Sequence, residues 1–331
     1  MVRLRRVNAA MPGWRRVRRG RGFGYVDEVG NALADLDVVR AQELVIPPAW
    51  SDVWICPMPN GHLQAVGTDA AGRRQYLYHP DWRVQRDMAK FEHMEGFAAA
   101  LIRKRQQVRR DLGGDELDFP RVAAATFGLL DLGMFRIGSD HYVEENGSYG
   151  LTTLEKSHVR PDGTGMQFAY VAKSGQEVEV TVRDKRVVEV LTALRNRRSG
   201  GDRLLAFRDG ARWRNLTADD VNEYVRGSLG GEFTAKDFRT WRANVVAAWC
   251  LAESDATTKS ARKKAVTATM KEVSEHLGNT PAVSRSSYVD PRVVDLFDDG
   301  VTVPAGSGRV RPGHAVNRTL ETRVLRMLRR A

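Results

Sequence analysis

Cysteine is scarce in this 331-residue chain, where only Cys56 and Cys250 occur, and no Cys-x2-Cys pair is present. Two cysteines allow neither a disulfide framework nor a four-cysteine zinc site, and such sparing use is typical of a reducing, intracellular compartment. The chain also lacks a Gly-x4-Gly-Lys-Ser/Thr phosphate loop, a His-Glu-x2-His zinc motif and any apolar run near the ~20 residues that span a bilayer. The sequence therefore predicts a soluble protein without ATP, zinc, another cofactor or membrane contact. A scattered carboxylate pair for magnesium stays open.

Acidic residues are scarce at both ends of the chain. Between Arg3 and Arg21 there are eight arginines and no acid, and from Val301 to the end there are seven arginines against one acid, Glu321. The whole chain has 52 Lys plus Arg, 41 Asp plus Glu, and a formal charge of +11. Such an excess favours a polyanionic partner, whose phosphates supply affinity that weakens as salt rises. A transit peptide or a solvated tail would also explain the N-terminal run, but it leads directly into a predicted strand at 20–26, which favours nucleic acid.

The sequence pattern changes near residue 85. Short β-rich runs at 53–56 and 62–66 precede this point, whereas the segment 87–110 carries a helical apolar stripe. Further helices are predicted at 121–133, 184–197, 218–228, 235–253 and 258–277. Strands are predicted at 151–159 and 166–182, the second broken by a hairpin turn at 173–175. The length allows two domains, with a linker at about 80–90.

Tyr288 lies near the end of a polar, basic segment, 278–289. A phenol has a pKa near 10, so its oxygen is a poor nucleophile at neutral pH unless neighbouring cations stabilise the developing charge. Taken alone, Tyr288 is more simply explained as a surface tyrosine. A catalytic role must therefore rest on other residues.

Arg239 is the first candidate companion. Thr234 is a suitable N-cap and Asp237 a capping-box partner, so Arg239 falls early in a helix, where free backbone N–H groups favour an anion. A guanidinium at such a place can grip a phosphate oxygen. A surface ion pair with Asp237 is an equally good explanation from these residues alone.

Arg136 and Lys173 are the other two candidates. Arg136 follows an apolar helix ending at 132–133, and Gly138 allows a close backbone approach to a ligand, although an ordinary helix-to-loop turn explains it equally well. Lys173 lies at the tip of the predicted hairpin, where an ammonium can donate a proton in a groove or merely add solubility.

Taken together, these residues resemble the type IB DNA topoisomerases, especially their poxvirus-like bacterial branch. The resemblance rests on Arg-Ile-Gly-Ser-Asp-His-Tyr at 136–142, Lys173 in its hairpin, Lys-Asp-Phe-Arg-Thr-Trp at 236–241, and Tyr288 ten residues after Gly278. It extends into the front of the chain through Gly-Arg-Gly-Phe-Gly-Tyr at 20–25, Ile-Pro-Pro-Ala-Trp at 46–50 and Gly-Arg-Arg-Gln-Tyr-Leu-Tyr-His at 72–79. About 275 residues, 20–295, are covered, and four ordered motifs are improbable by chance.

The resemblance implies a role for each residue. Tyr288 attacks phosphorus and becomes joined to the 3′ phosphate, Lys173 protonates the leaving 5′ oxygen, and Arg136 and Arg239 hold the nonbridging oxygens. Many members carry a histidine nine residues before the nucleophile, where this chain has Asn279, to which we assign a neutral donor role. The nearby His276 is predicted to belong to the preceding helix. Double-stranded DNA contacts are expected from these residues: Gln75, Tyr76, Tyr78 and Tyr142.

The expected protein has two domains in an α+β fold. A small β-rich DNA-clamping domain spans 1–85, and a mostly α-helical catalytic domain with a short antiparallel sheet, the fold shared by tyrosine recombinases and topoisomerase IB enzymes, spans 86–331. The two are expected to close around DNA as a C-shaped clamp in a cytoplasmic, nucleoid-associated monomer. A tyrosine recombinase is the nearest alternative, but recombinases usually carry His-x-x-Arg where this chain has Lys-Asp-Phe-Arg at 236–239. The other alternative is a basic DNA-architectural protein whose active site is inactive.

Overall fold

The structure is a computed structural model that describes residues 3–132, 134–140, 143 and 147–330, without the side chains of 83–88. It forms two compact units, Met1–Glu92 and His93–Ala331. A β-rich first unit and a mostly helical second unit with small sheets confirm the predicted fold class.

The first unit is built on a five-stranded antiparallel sheet in the order β2-β1-β3-β4-β5. Its elements are β1 Trp14–Arg19, β2 Gly22–Val26, α1 Asp35–Glu43, β3 Ser51–Ile55, β4 Leu63–Thr68 and β5 Arg74–Tyr78. The apolar runs predicted at 53–56 and 62–66 correspond to β3 and β4.

Strand β1 lies within the arginine-rich run at 3–21, where the sequence predicted no strand before residue 20. Arg16 explains how the sheet accepts such a residue: its guanidinium donates to the carbonyl oxygens of Ile46, Pro47 and Trp50, and stacks 4.1 Å from the Phe23 ring centroid. A long side chain can thus pack its stem on the sheet while its charged end is satisfied by carbonyls.

The second unit surrounds one large apolar core to which most of its helices contribute. The helices are α2 Pro80–Asp111, which begins before the unit boundary, α3 Phe119–Asp131, α4 Lys185–Asn196, α5 Ala218–Leu229, α6 Ala235–Ala252, α7 Lys259–Leu277, α8 Pro281–Ser287, α9 Pro291–Asp298 and α10 Arg318–Leu328. The predicted helices agree with α2 to α7 within a few residues, except that α2 begins seven residues earlier. Helices α8, α9 and α10 were not predicted.

Two small antiparallel sheets complete this unit. One has the order β6-β7-β8, with β6 Val159–Asp162, β7 Gly165–Ala172 and β8 Gln176–Val182, and the other pairs β9 Ala206–Asp209 with β10 Arg212–Asn215. The predicted hairpin turn is confirmed at Lys173–Gly175, where Ser174 has a left-handed φ of 67°.

The prediction of a strand at 151–159 is wrong over most of this segment. Two short 3-10 turns, Leu151–Thr153 and Lys156–His158, occupy the segment, and β6 begins only at its end. Leu151 and Leu154 are fully buried there. Burial of a short apolar run does not distinguish a strand from a turn, so the composition gave the wrong answer.

The C-terminal helix α10 belongs to the core of the second unit. The Glu321 carboxylate accepts two hydrogen bonds from Arg105 on α2, at 2.8 and 3.0 Å, and one from Trp241 Nε1 on α6. Arg105 also donates to Asp131 at the end of α3. Burial opposes the charge of Arg105, but the two carboxylates outweigh it and raise its pKa. Four helices are therefore joined by one network of ion pairs and hydrogen bonds.

The surroundings of both cysteines disfavour the reactive thiolate. Cys56 is buried and Cys250 is half-buried. Burial raises the pKa of each thiol, to about 12 for Cys250. In the part of the chain that the structure describes, no helix has the length and apolar character to cross a membrane.

Candidate active site

Helix α6 carries Arg239 in the buried interior of the second unit. Thr234 precedes the first residue of the helix, and the Asp237 carboxylate accepts hydrogen bonds from its backbone N–H at 2.8 Å and from its hydroxyl at 3.1 Å. Asp237 is thereby engaged with the helix start and also lies 3.4 Å from His93 Nε2. The alternative explanation of Arg239, that it forms a surface ion pair with Asp237, is therefore wrong.

Arg239 is buried, with 4% of its surface exposed. Its Nη1 donates to the carbonyl oxygen of Met134 at 2.5 Å, and its Nη2 to that of Leu277 at 2.6 Å. The guanidinium carbon lies 5.7 Å from the ring centroid of Tyr288. Burial lowers the pKa of Arg239, and Arg136 lowers it further, whereas Coulombic and hydrogen-bonding interactions with Tyr288 raise it. Arg239 thus lies close enough to both Arg136 and Tyr288 for these two groups to shift its pKa.

Arg136 follows helix α3 in an irregular segment and reaches the end of helix α7. Its Nη2 donates to the carbonyl oxygen of Gly278 at 2.5 Å. Two residues later, Gly138 has a φ of +92°, and a Cβ there would lie 3.0 Å from the carbonyl carbon of Gly150. The close approach suggested by Gly138 is thus an approach to the backbone of Gly150, which fixes the loop that carries Arg136.

Asn279 lies just beyond α7, which ends at Leu277 and is capped by Gly278 in a left-handed conformation. Ser284 Oγ on α8 donates to Asn279 Oδ1 at 2.5 Å, which fixes the orientation of the amide. Asn279 Nδ2 is buried and has no hydrogen-bond partner among the described residues. A fixed donor without an acceptor is what a site for an oxyanion requires.

His276 belongs to helix α7, as predicted. It is 5% exposed, and burial followed by the nearby Arg242 charge lowers its pKa to about 4. Its Nε2 lies 3.3 Å from Glu272 Oε1 on the same helix.

Tyr288 lies immediately after α8, half-buried against the core. Asn244, five residues after Arg239 on α6, holds the backbone on both sides of Val289, the residue after Tyr288. Its Nδ2 donates to the Tyr288 carbonyl oxygen at 3.3 Å, and its Oδ1 accepts the Asp290 N–H at 2.7 Å. The helix that carries Arg239 therefore also anchors Tyr288.

The β7–β8 hairpin brings a further part of the sheet to this region. Lys173 is exposed at its turn. Gln176 begins β8, and its Oε1 lies 2.9 Å from the point that a Cβ on Gly278 would occupy. Tyr170 on β7 is buried, and burial raises its pKa to about 12, against the opposing effects of Arg136 and Arg239.

The residues expected to contact DNA in the first unit lie on edge strand β5. Tyr76 and Tyr78 point to one face, with ring centroids 6.3 Å apart and planes inclined by 17°. Gln75 alternates to the other face and donates to Asp69 Oδ2 at 2.8 Å. Tyr142 lies outside the described residues.

Each of the two units matches a known protein family over much of its length. Residues 79–296, more than half of the chain, match the family model described as "Eukaryotic DNA topoisomerase I, catalytic core". The chain belongs to the type IB DNA topoisomerases. Residues 22–69 match the model described as "Bacterial DNA topoisomerase IB, N-terminal domain", which supports a bacterial type IB topoisomerase.

Named viral proteins are similar to this type IB topoisomerase over most of their length. "DNA topoisomerase 1B" of Acanthamoeba polyphaga mimivirus is 30% identical over 284 residues, which cover 83% of this chain and 84% of the relative. "DNA topoisomerase 1B" of Vaccinia virus (strain Copenhagen) and "DNA topoisomerase I" of Monkeypox virus are each 25% identical over 240 residues, covering 71% of this chain and 72% of each relative.

Several residues around the candidate site were not expected from the sequence. Asn244, Ser284, Gln176 and Tyr170 each lie among the candidate catalytic residues in the structure. Ser284 had a local signal, because it lies in the same segment as Asn279 and Tyr288. The other three had none, since their partners are distant in sequence. Among the described residues, no cluster of three or more His, Cys, Asp or Glu side chains is arranged to hold a metal ion.

Proposed function

We propose that this enzyme relaxes supercoiled duplex DNA by transient cleavage of one strand through a 3′-phosphotyrosyl intermediate, without ATP or a required metal. The observation that carries the proposal is the position of Arg239. Its buried guanidinium, held by two neutral carbonyl oxygens, lies against Tyr288 and is electrostatically coupled to Arg136. A phosphodiester placed beside Tyr288 would meet both cations.

In the proposed reaction, Tyr288 Oη forms a bond to phosphorus while the bond to the 5′ oxygen breaks. The phenol proton passes to solvent water as the new bond forms, and Lys173 gives a proton to the leaving 5′ oxygen. Arg136, Arg239 and the Asn279 amide bind the nonbridging oxygens, where one well-placed donor contributes about 3 kcal/mol to the transition state. The phosphotyrosine keeps the energy of the broken bond, so the 5′ hydroxyl can reverse the step after strand rotation.

Plasmid relaxation tests this function. Purified protein is incubated with supercoiled plasmid in EDTA without ATP, and topoisomers are resolved on a gel. We expect a ladder of relaxed forms. DNA binding without any relaxed product would leave the dead, architectural protein as the better account.

Substitution of the nucleophile tests the chemistry. Tyr288→Phe is expected to keep DNA binding and to form no covalent adduct on end-labelled duplex, whereas the wild type leaves protein on the 3′ end. An adduct that survives in this variant means that another group attacks. Tyr170, electrostatically coupled to the same two arginines, is then the first to examine.

The same proposal extends to the whole chain. Residues 1–85 would be a DNA-clamping domain and 86–331 the catalytic domain of a nucleoid-associated monomer. Tyr76 and Tyr78 offer a stacked, partly exposed aromatic face on β5, which supports a role in DNA contact. Gln75 and Tyr142 are proposed contacts from the family resemblance. Light scattering during size-exclusion chromatography tests the monomer.

A further inference from the structure

Gln176 carries an unpaired acceptor inside the catalytic unit. Its Oε1 is buried and has no hydrogen-bond partner among the described residues. Native structures pair nearly all such atoms, because an unsatisfied buried acceptor destabilises the fold. The residue lies three positions after Lys173, at the start of β8.

Gln176 shares its surroundings with Arg136. The Cβ that Gly278 lacks would lie 2.9 Å from Gln176 Oε1 and 3.9 Å from Arg136 Nη1. On the other edge of the guanidinium, Arg136 Nη2 already donates to the Gly278 carbonyl oxygen. The unpaired acceptor and the charged donor thus both lie within 4 Å of one point, and Gly278 has no side chain to occupy that point.

We propose that Gln176 is a positioning residue for Arg136: when DNA occupies the site, its Oε1 accepts a hydrogen bond from Arg136 Nη1. The guanidinium is then fixed at both edges, by the Gly278 carbonyl oxygen and by the Gln176 amide. The proposal rests on the proposed function, since Arg136 acts there on the phosphate. It also joins the hairpin that carries Lys173 to the loop that carries Arg136.

The chemistry of the amide suits this position. Like the carbonyl oxygens that hold Arg136 and Arg239, it is neutral, so it orients the cation and leaves its charge for the phosphate. A carboxylate would form a stronger bond and cancel that charge. Asn279 Nδ2 is also buried and without a partner among the described residues, but it is a donor whose amide Ser284 already orients, and we assign it to the phosphate.

Single-turnover cleavage of end-labelled duplex at saturating enzyme tests the proposal. Gln176→Met removes the acceptor at similar size, and Gln176→Glu keeps the acceptor and adds a negative charge. We expect each variant to cleave about 10-fold more slowly or worse, with DNA affinity within about twofold of wild type. The matched control is Gln167→Met on β7, whose amide bonds to Arg160 and Glu179 away from the site. It is expected to cleave like the wild type.

A double-mutant cycle identifies the partner of Gln176. If Gln176 acts through Arg136, adding Gln176→Met to Arg136→Ala slows cleavage by less than about twofold. Multiplicative losses, or coupling to Asn279→Ala instead, would overturn the proposal, as would wild-type cleavage by Gln176→Glu. If the wild type itself forms no adduct, the proposed function fails. If the wild type cleaves and the Gln176 variants match Gln167→Met, only this inference fails.

Discussion

Arg136 and Arg239 are held by backbone carbonyl oxygens rather than by carboxylates. A carboxylate partner would fix a guanidinium more strongly but would compete with a phosphate for its charge. Carbonyl oxygens supply direction and leave the net positive charge in place. At the residue scale, the candidate site is thus organised before an anion arrives.

Ser284 is expected to act on catalysis through Asn279. Ser284→Ala removes the hydroxyl that fixes the amide, and we expect cleavage to slow about 5–10-fold, the equivalent of one hydrogen bond, with DNA affinity unchanged. Single-turnover adduct formation measures this. Ser286→Ala, at an exposed serine of the same helix, is the control. Equal rates in the two variants would show that the amide is oriented by something else.

His276 is expected to make stability depend on pH. Its folded pKa of about 4 lies below the unfolded value of 6.5, since burial and Arg242 disfavour the cation despite Glu272 and Glu275 nearby. Its stabilisation is complete above the unfolded pKa and is lost as pH falls through the folded one. Between pH 7 and pH 5, this single group should cost about 2 kcal/mol of unfolding free energy.

Urea unfolding at pH 7 and pH 5 measures the effect. His276→Gln should flatten the difference between the two pH values, whatever its own stability, whereas the exposed His314→Gln should leave that difference unchanged. An unaltered pH difference in His276→Gln would mean that other groups carry the acid sensitivity.

At the scale of elements, helix α6 organises the site. It is buried along most of its length and carries Arg239 toward Tyr288, with Asn244 one turn further holding the backbone after α8. Tyr288, the proposed nucleophile, and Arg239 are thereby tied to one rigid element. Such placement is more accurate than attachment to a loop.

Asn244→Ala should therefore impair both stability and chemistry. It leaves the buried Asp290 N–H and the Tyr288 carbonyl oxygen without this partner, at a cost of about 2–4 kcal/mol, or a melting temperature lower by about 5–10 °C. Thermal unfolding and single-turnover cleavage at 20 °C measure the two effects. Asn215→Ala, at an exposed strand residue, is the control. Full cleavage by the folded Asn244 variant would show that the position of Tyr288 in the reaction does not depend on Asn244.

The elements that the sequence predicted are those with local signals. Helices α2 to α7 carry periodic apolar stripes or caps such as Thr234. Strand β1 was missed because Arg16 satisfies its charge on carbonyls from residues 46–50, about 30 residues away. Likewise, the position of Arg239 in its helix was predictable. Its bonds to Met134 and Leu277, 105 and 38 residues away, were not.

At the scale of the molecule, the formal charge of +11 predicts strongly salt-dependent DNA binding. Each phosphate contact adds roughly −0.9 to the slope of log affinity against log salt, so we expect affinity to fall about 100-fold or more between 50 and 200 mM NaCl. Fluorescence anisotropy with Tyr288→Phe measures this without covalent capture. A change below about threefold would assign the affinity to uncharged contacts.

The buried thiol of Cys56 and the half-buried thiol of Cys250 make the chain convenient for site-specific dye labelling. Maleimide dyes react with thiolates, and burial disfavours the thiolate at both Cys56 and Cys250. Cysteines introduced at exposed Val29 in the first unit and exposed Asp209 in the second would therefore take up dye much faster than the native pair. Energy transfer between two such dyes could follow the distance between the units on single DNA molecules, with no native cysteine removed beforehand.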